Sequence, residues 1–140
     1  ATGGADADIS VTLAGDARVK SLNKKHRNEN SPTDVLSFPT TDMLNARRKP
    51  AKSGPPFVMG DLVINIHAAM RQAETMGHSV KEEFCVLLAH GISHLMGFEH
   101  GDRHSMKKMM SLERKILKAL LGDKQAQTLI QRSEPGNASR

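Results

Sequence analysis

Apolar and polar residues alternate over residues 8–14, which is the period-two pattern of a strand with one buried face. The alternation stops at Gly15. Two later segments, 34–38 and 57–66, are rich in the apolar and β-branched residues that strands favour, and Pro39 directly follows the first of them. The pattern therefore predicts three strands.

Helical periodicity predicts four helices, over 16–25, 67–76, 80–96 and 104–121. Ser79 is followed three residues later by Glu82, the spacing of a capping box, so the third of these helices begins after Ser79. Gly77, Gly97 and Gly122 stand where the last three helices end. The order strand, helix, two strands and three helices predicts an α+β fold, in which a small mixed β-sheet packs against helices.

A chain of 140 residues fits one compact domain and leaves little room for a second, so residues 1–140 are predicted to form a single domain. Residues 40–56 hold three prolines and a basic cluster and are predicted to form a loop, and residues 133–140 to form a flexible tail. The apolar runs are too short to span a bilayer, which excludes a membrane protein.

The balance of charge is basic, with 20 Lys and Arg against 15 Asp and Glu and a net charge of +5, which suits a polyanionic partner. Trp and Tyr are absent and there are only four Phe, so aromatic surfaces on which bases could stack are scarce. Phosphate contacts would therefore carry most of the binding to a nucleic acid. The first residues have neither a signal peptide nor an organellar presequence, which predicts a cytoplasmic protein, or one of an organellar matrix if the chain is a processed form.

Several residues with reactive side chains receive structural interpretations. Cys85 is the single cysteine, which excludes a disulfide framework, and it is predicted to fill the core. His67 and His78 are predicted to lie at the surface or at helix ends.

A cluster of histidines is the strongest chemical signal in the chain. His90 and His94 are four residues apart, so on a helix they stack one turn apart on one face and can both reach one metal ion. They lie beside Leu87, at the border of the predicted buried arc. Gly97 allows the chain to turn back after the helix, which would bring His100 to the same point.

Three imidazoles and one open position are the composition of a catalytic zinc site, whereas a structural site fills all four positions with protein ligands. Gly91 occupies the place where metalloproteases of the His-Glu-x-x-His type carry their general base. Neutral ligands also leave the charge of the ion uncompensated, which favours an anionic substrate such as a phosphodiester. The site is therefore interpreted as that of a hydrolase other than a peptidase, with the metal as Lewis acid.

The segment from His90 to His100, His-Gly-Ile-Ser-His-Leu-Met-Gly-Phe-Glu-His, closely resembles the signature of the YbeY family, metal-dependent endoribonucleases that act in ribosomal RNA maturation. Further stretches agree in the order the family has them: Leu22-Asn23, Arg27, Pro-Thr-Asp-Val-Leu-Ser-Phe-Pro over 32–39, and Gly-Asp-Leu-Val-Ile over 60–64. Together these motifs cover roughly residues 9–122.

The resemblance implies that His90, His94 and His100 are the metal ligands, at the end of a central helix. It also implies that Arg27 is a catalytic residue close to the metal cleft. A guanidinium can hold a phosphate with two hydrogen bonds and stabilise charge that develops on it. Zinc is the expected ion, although three imidazoles accept nickel or copper comparably well.

The substrate implied by the resemblance is single-stranded ribosomal RNA, in particular a precursor of the small subunit, with ribosomal proteins as candidate partners. The implied role is ribosomal RNA processing and ribosome quality control. Arg27 would bind the scissile phosphate, and the basic residues Lys24 and Lys25 beside it are expected to attract the RNA backbone.

The sequence departs from the family pattern in three places. Glu99 stands where the family usually has Asp, and His26 stands where it usually has an aromatic residue. Family members also carry a strand and a helix ahead of the strand at 9–13, and this chain lacks both, so it is expected to be a shortened form.

Two alternative functions remain open at the level of sequence. One is a non-catalytic, ribosome-associated RNA-binding module with a structural metal, in which His104 or Glu99 closes the fourth position. The other is a small metallopeptidase. The sequence does not choose between water and a ribose hydroxyl as the nucleophile, and it does not give the oligomeric state.

Overall fold

The structure is a computed structural model that describes residues 7–29, 33–40, 57–96 and 103–132. The described residues form three strands, β1 (Ala7–Ala14), β2 (Val35–Pro39) and β3 (Phe57–Asn65). They also form five helices: α1 (Asp16–Arg27), α2 (Ile66–Met76), α3 (Val80–Leu95), α4 (Arg103–Leu121) and α5 (Asp123–Arg132). No helix within these ranges has the length and apolar character needed to cross a membrane.

The three strands form one mixed sheet with β3 in the centre. β1 is parallel to β3, and β2 is antiparallel to it. Gly60 in β3 has a φ of 153°, and a Cβ atom there would lie 2.3 Å from the carbonyl oxygen of Phe38. Glycine is therefore required for the close pairing of β3 with β2 at this position.

Helices cover both faces of the sheet. Successive residues of a strand point to opposite sides, so neighbouring residues of β3 pack against different helices. On one face, Val63 of β3 and Leu36 of β2 pack against Val19 of α1. On the other face, Leu62 and Ile64 of β3 pack against α3 and its neighbour α2. α1 and α3 are thus separated by the sheet.

α3 is the central helix, because it is buried on two sides. Leu87 packs against Ile64 of the sheet, whereas Cys85 and Ala89 pack against Ile116 of α4. The sequence predicted one buried arc on this helix, which is incomplete, since α4 covers a second side. The prediction that Cys85 fills the core is confirmed.

The predicted α+β class and the small mixed sheet are confirmed, and the predicted elements are present with ends shifted by one or two residues. Ser79 and Glu82 form the capping box at the start of α3, with N–O distances of 2.9 and 3.0 Å. Gly77 and Gly122 have φ values of 73° and 89° and follow α2 and α4 directly, as predicted. Gly97 and the predicted loop and tail over 40–56 and 133–140 lie outside the described residues, apart from Thr40.

One helix was not predicted from the sequence. α5 buries Ala126, Leu129 and Ile130, and the first and last of these pack in the same cluster as Ile116 and Leu117 of α4. These three positions have helical spacing, but they are the only apolar residues in a ten-residue segment dominated by polar side chains. The order of elements therefore ends in four helices, where the sequence predicted three.

Candidate metal centre

His90 and His94 converge in the C-terminal half of α3. Their Nε2 atoms are 2.9 Å apart, and their ring centroids are 4.4 Å apart with the rings nearly perpendicular at 83°. Both residues are half-buried, and the side chain of His90 is 28% exposed. Two imidazole nitrogens directed at one point, and still reachable from solvent, are suited to bind a shared cation.

A carboxylate from α4 supports the first of these histidines. Oε1 of Glu113 lies 3.0 Å from Nδ1 of His90, and the Glu113 side chain is 25% exposed. An ionised carboxylate only accepts hydrogen bonds, so it favours the tautomer with the proton on Nδ1. The lone pair is then on Nε2, the atom that faces His94, as in metal sites whose histidines are held by a carboxylate.

Sequence reasoning missed Glu113, although a signal was present. It is the only carboxylate in α4, and it follows the buried Met109 by four residues and precedes the buried Ile116 and Leu117 by three and four. A single acidic residue on the inward side of a basic helix indicates a polar partner in the protein, because an unpaired buried carboxylate is costly.

The sheet fixes the backbone of α3 between the two histidines. A Cβ atom on Gly91 would lie 2.9 Å from Leu62 Cδ2 and 3.2 Å from Val35 Cγ2, so the helix touches the sheet at this residue. The buried hydroxyl of Ser37 donates a hydrogen bond of 3.3 Å to the Gly91 carbonyl oxygen. Leu95, the next residue after His94, is 1% exposed. The histidines are therefore held on a rigid element.

The start of α3 is anchored by a second histidine–carboxylate contact. Nε2 of His78 lies 2.6 Å from Oε1 of Glu83, and the two side chains are 1% and 0% exposed. The prediction that His78 lies at the surface or at a helix end is confirmed by its position just before α3, although its side chain is buried. Glu83 is the reason, because it gives the ring a buried polar partner. His67 is exposed and lies in the first turn of α2, as predicted, and its Nδ1 accepts a hydrogen bond from the Asp16 backbone N–H.

A second polar network joins α1, α2 and the residues before β2. The amide of Asn65 donates to Asp16 Oδ1 at 2.7 Å and to the Thr33 carbonyl at 3.0 Å, while its oxygen caps α2. Arg71 forms two hydrogen bonds with Asp16, of 2.8 and 3.1 Å. These contacts, led by the Arg71 guanidinium, hold the pKa of Asp16 far below its usual range. Residues of this network line a polar cleft of about 320 Å³.

The structure thus brings together two of the three predicted metal ligands. His100 and Glu99 lie outside the described residues, as does the side chain of His104. The described part of the chain, which omits His100, contains no group of three side chains that could hold a metal ion.

The predicted substrate-binding residues lie at the C-terminal end of α1. Lys24 and Lys25 are exposed, and Arg27 is the last residue of the helix. The structure describes the backbone of Arg27 but not its side chain. The ring of His26 makes an edge contact with Phe38, with centroids 5.0 Å apart. An imidazole thus packs against a ring at a position where an aromatic residue was expected.

Comparison with protein families gives one match over most of the chain. Residues 3–121 match the family model described as Endoribonuclease YbeY. Because this range contains all the motifs on which the resemblance in sequence was based, that interpretation is confirmed.

Individual relatives agree with the family match. A protein of Heliobacterium modesticaldum named Endoribonuclease YbeY is 38% identical over 115 residues, which are 81% of this chain and 69% of the relative. One of Beutenbergia cavernae with the same name is 41% identical over 115 residues, or 82% and 75% of the two chains. A solution structure of a Thermotoga maritima protein has a TM-score of 0.58 at 23% identity and covers 94% of this chain and 79% of the other, which supports the fold alone.

Proposed function

Because this chain belongs to the YbeY family of endoribonucleases, we propose that it is a metal-dependent endoribonuclease that cleaves single-stranded ribosomal RNA. In this proposal His90, His94 and His100 hold one divalent cation. The observation that carries it is the 2.9 Å approach of the His90 and His94 Nε2 atoms, with Glu113 behind the first ring.

The donor set fits a transition-metal ion. Imidazole nitrogens suit zinc, copper and nickel, whereas magnesium and calcium prefer oxygen ligands. We propose zinc, because three histidines with a fourth position open to solvent are typical of catalytic zinc sites. When bound, the ion would supply Lewis acidity at the scissile phosphodiester.

The protein's own residues would position the RNA. Glu113 holds the His90 ring in one tautomer and orientation. Arg27, at the end of α1, would bind the scissile phosphate with two hydrogen bonds, and the exposed Lys24 and Lys25 in the preceding turn would attract neighbouring phosphates. A basic chain with no Trp or Tyr is consistent with recognition through the backbone.

A precursor of the small ribosomal subunit RNA is the proposed substrate, and ribosomal proteins are proposed partners. Family membership supports this assignment, and we propose that the protein acts in the cytoplasm, or in an organellar matrix if the chain is a processed form. The peptidase alternative has no structural support, because the position after His90 is Gly91, which faces Leu62 and Val35 of the sheet. A glutamate there would be directed into the core and could not serve as a base.

The proposal is tested with a His94→Ala variant and a His67→Ala control, since His67 is an exposed histidine on α2. Elemental analysis of the purified wild type should give one ion per chain, and the His94→Ala variant should retain far less and cleave no RNA. The control should keep its metal and its activity. Full cleavage by a metal-free preparation would refute the mechanism.

A further inference from the structure

One side of α4 carries a dense set of basic residues. Five of its side chains are basic, exposed and lie on one side of the helix: Lys107, Lys108, Arg114, Lys115 and Lys118. At 100° per residue they fall, together with Ser111, within an arc of about 120°. The buried residues Met109, Ile116 and Leu117 lie outside this arc. We call these five residues the α4 basic face.

Within the described residues, the charges of the α4 basic face are not balanced by ion pairs, since none involves any of the five residues. The only carboxylate of the helix, Glu113, is turned to His90 instead. The face therefore presents positive charge to solvent.

Apart from Lys118, which lies in the last turn and interacts favourably with the helix dipole, these residues do not stabilise the helix itself. The first turn of α4 has no acidic residue, whereas α3 begins with Glu82 and Glu83 and α5 begins with Asp123. Acidic residues near the N-terminus stabilise a helix, and like charges four residues apart, such as Arg114 and Lys118, destabilise it. A repulsion of this kind is relieved when an anion binds along the face.

The structure points to a phosphate backbone as that anion: we infer that the α4 basic face docks RNA on its way to the His90–His94 pair. The inference rests on the proposed function. By the same helical geometry Glu113, whose contact with His90 joins α4 to the candidate metal centre, lies on the side of the helix opposite the basic arc, so the face would hold a part of the strand that passes around α4 outside the histidine pair. From Lys107 to Lys118 the helix rises about 16 Å, which matches about five phosphates of a stacked strand.

A basic arc that extends along about 16 Å of helix and holds no large apolar residue favours a nucleic acid backbone over an anionic membrane. The large apolar residues exposed on α4 are Met106, Met110 and Leu120, and by helical geometry they lie outside the basic arc. A membrane-binding helix would need them on the side that faces the lipid. The docking is expected to be independent of base sequence, since lysine and arginine at this spacing contact phosphates and no aromatic residue lies in α4.

The test compares two double variants that each remove one arginine and one lysine. Arg114→Gln/Lys118→Gln changes the α4 basic face, and Arg18→Gln/Lys124→Gln changes exposed residues in the first turns of α1 and α5, away from that face and from Lys24 and Lys25. Affinity for a labelled twenty-residue oligothymidine is measured by fluorescence anisotropy from 50 to 300 mM salt, with the metal-loaded protein. DNA is used for this step because its phosphates are equivalent and it lacks the ribose hydroxyl.

Log K falls as log salt rises, and loss of two phosphate contacts should make this slope shallower by about 1.4. The corresponding loss of affinity at 0.1 M salt is about 25-fold. With a twenty-residue RNA the same variant should raise KM by a similar factor and leave kcat unchanged. A tetranucleotide, too short to occupy the face, should be cleaved as by the wild type. The control pair should leave the slope and KM unchanged.

An equal loss of slope in both variants would overturn the inference, since it would show only the effect of net charge. An unchanged slope in the α4 variant would overturn it as well. So would a variant that binds anionic vesicles or acidic peptides more weakly but binds the oligonucleotide as the wild type does. If the α4 variant alone weakens nucleic acid binding and yet no preparation cleaves RNA, the docking surface stands and the proposed function fails. Thermal unfolding of each variant verifies that it is folded.

Discussion

Glu113 of α4 accepts a hydrogen bond of 3.0 Å from Nδ1 of His90, a residue of α3 that precedes it by 23 positions. The packing of α4 against α3 therefore determines which nitrogen of the His90 ring carries the proton. Because the proton is held on Nδ1, the opposite nitrogen presents its lone pair to the point where His94 also converges. The candidate metal centre is thus prepared by a residue that would not touch the metal.

Removing this carboxylate should weaken metal binding without removing a ligand. Glu113→Ala is expected to lower zinc affinity by roughly 10- to 100-fold, and Glu113→Gln by less, because the amide oxygen still accepts a hydrogen bond. Affinity is measured by competition with a chromophoric chelator. Nitrogen NMR of the metal-free protein should show one tautomer of His90 in the wild type and a mixture in Glu113→Ala.

The control for this change is Glu74→Gln on α2, an exposed carboxylate whose loss alters the net charge by the same amount. It should bind zinc as the wild type does. Wild-type affinity in Glu113→Ala would show that the contact has no influence on the site.

Gly91→Ala should destabilise the protein by about 1–2 kcal/mol, because overpacking against the buried Leu62 outweighs the gain in helix propensity. Chemical denaturation measures the loss. The double variant Gly91→Ala/Leu62→Ala should be more stable than the sum of the two single changes predicts, since the smaller side chain makes room for the new methyl group. Strict additivity would contradict the close contact between α3 and the sheet.

The contribution of Asp16 to stability should depend on pH. Its hydrogen bonds with Arg71 and Asn65 lower its pKa in the folded state. A carboxyl group with a lowered pKa contributes stability above its unfolded pKa of about 4, and the contribution is lost as the pH falls toward the folded pKa. The difference in unfolding free energy between wild type and Asp16→Asn should therefore be constant from pH 5 to 7 and shrink below pH 4. A difference that grows in acid would reverse the assigned sign.

The buried contact between His78 and Glu83 should be strongly coupled. Glu83→Ala is expected to lower the unfolding free energy by about 3 kcal/mol, because it leaves the His78 ring buried without this partner. The double variant with His78→Ala should be less destabilised than the sum of the single variants, and a thermodynamic cycle at constant pH measures the difference. A coupling of zero would mean that the two groups act independently.

The structural features that could be predicted from the sequence are those that depend on local periodicity. Spacing alone places His90 and His94 on one face of a helix, and the capping box of Ser79 and Glu82 fixes where that helix begins. Both features depend on residues within one or two turns of each other, so no knowledge of tertiary packing is needed.

The features that sequence reasoning missed depend on contacts between distant elements. Glu113 becomes a partner of His90 only when α4 packs against α3, and the few apolar residues of α5 become buried when they meet Ile116 and Leu117. The burial of the His78 side chain could not be predicted, because nothing local shows that Glu83 is buried beside it. A pattern read along the chain carries no signal for such pairs.

The central claim is that one bound cation at the histidine cluster is required for RNA cleavage. The most direct test is to titrate chelator-treated protein with zinc while cleavage of a single-stranded ribosomal RNA fragment is followed. We expect no cleavage without metal and a linear rise in rate that levels off at one ion per chain. Full activity of the chelated protein, or a rate that does not depend on added metal, would contradict it.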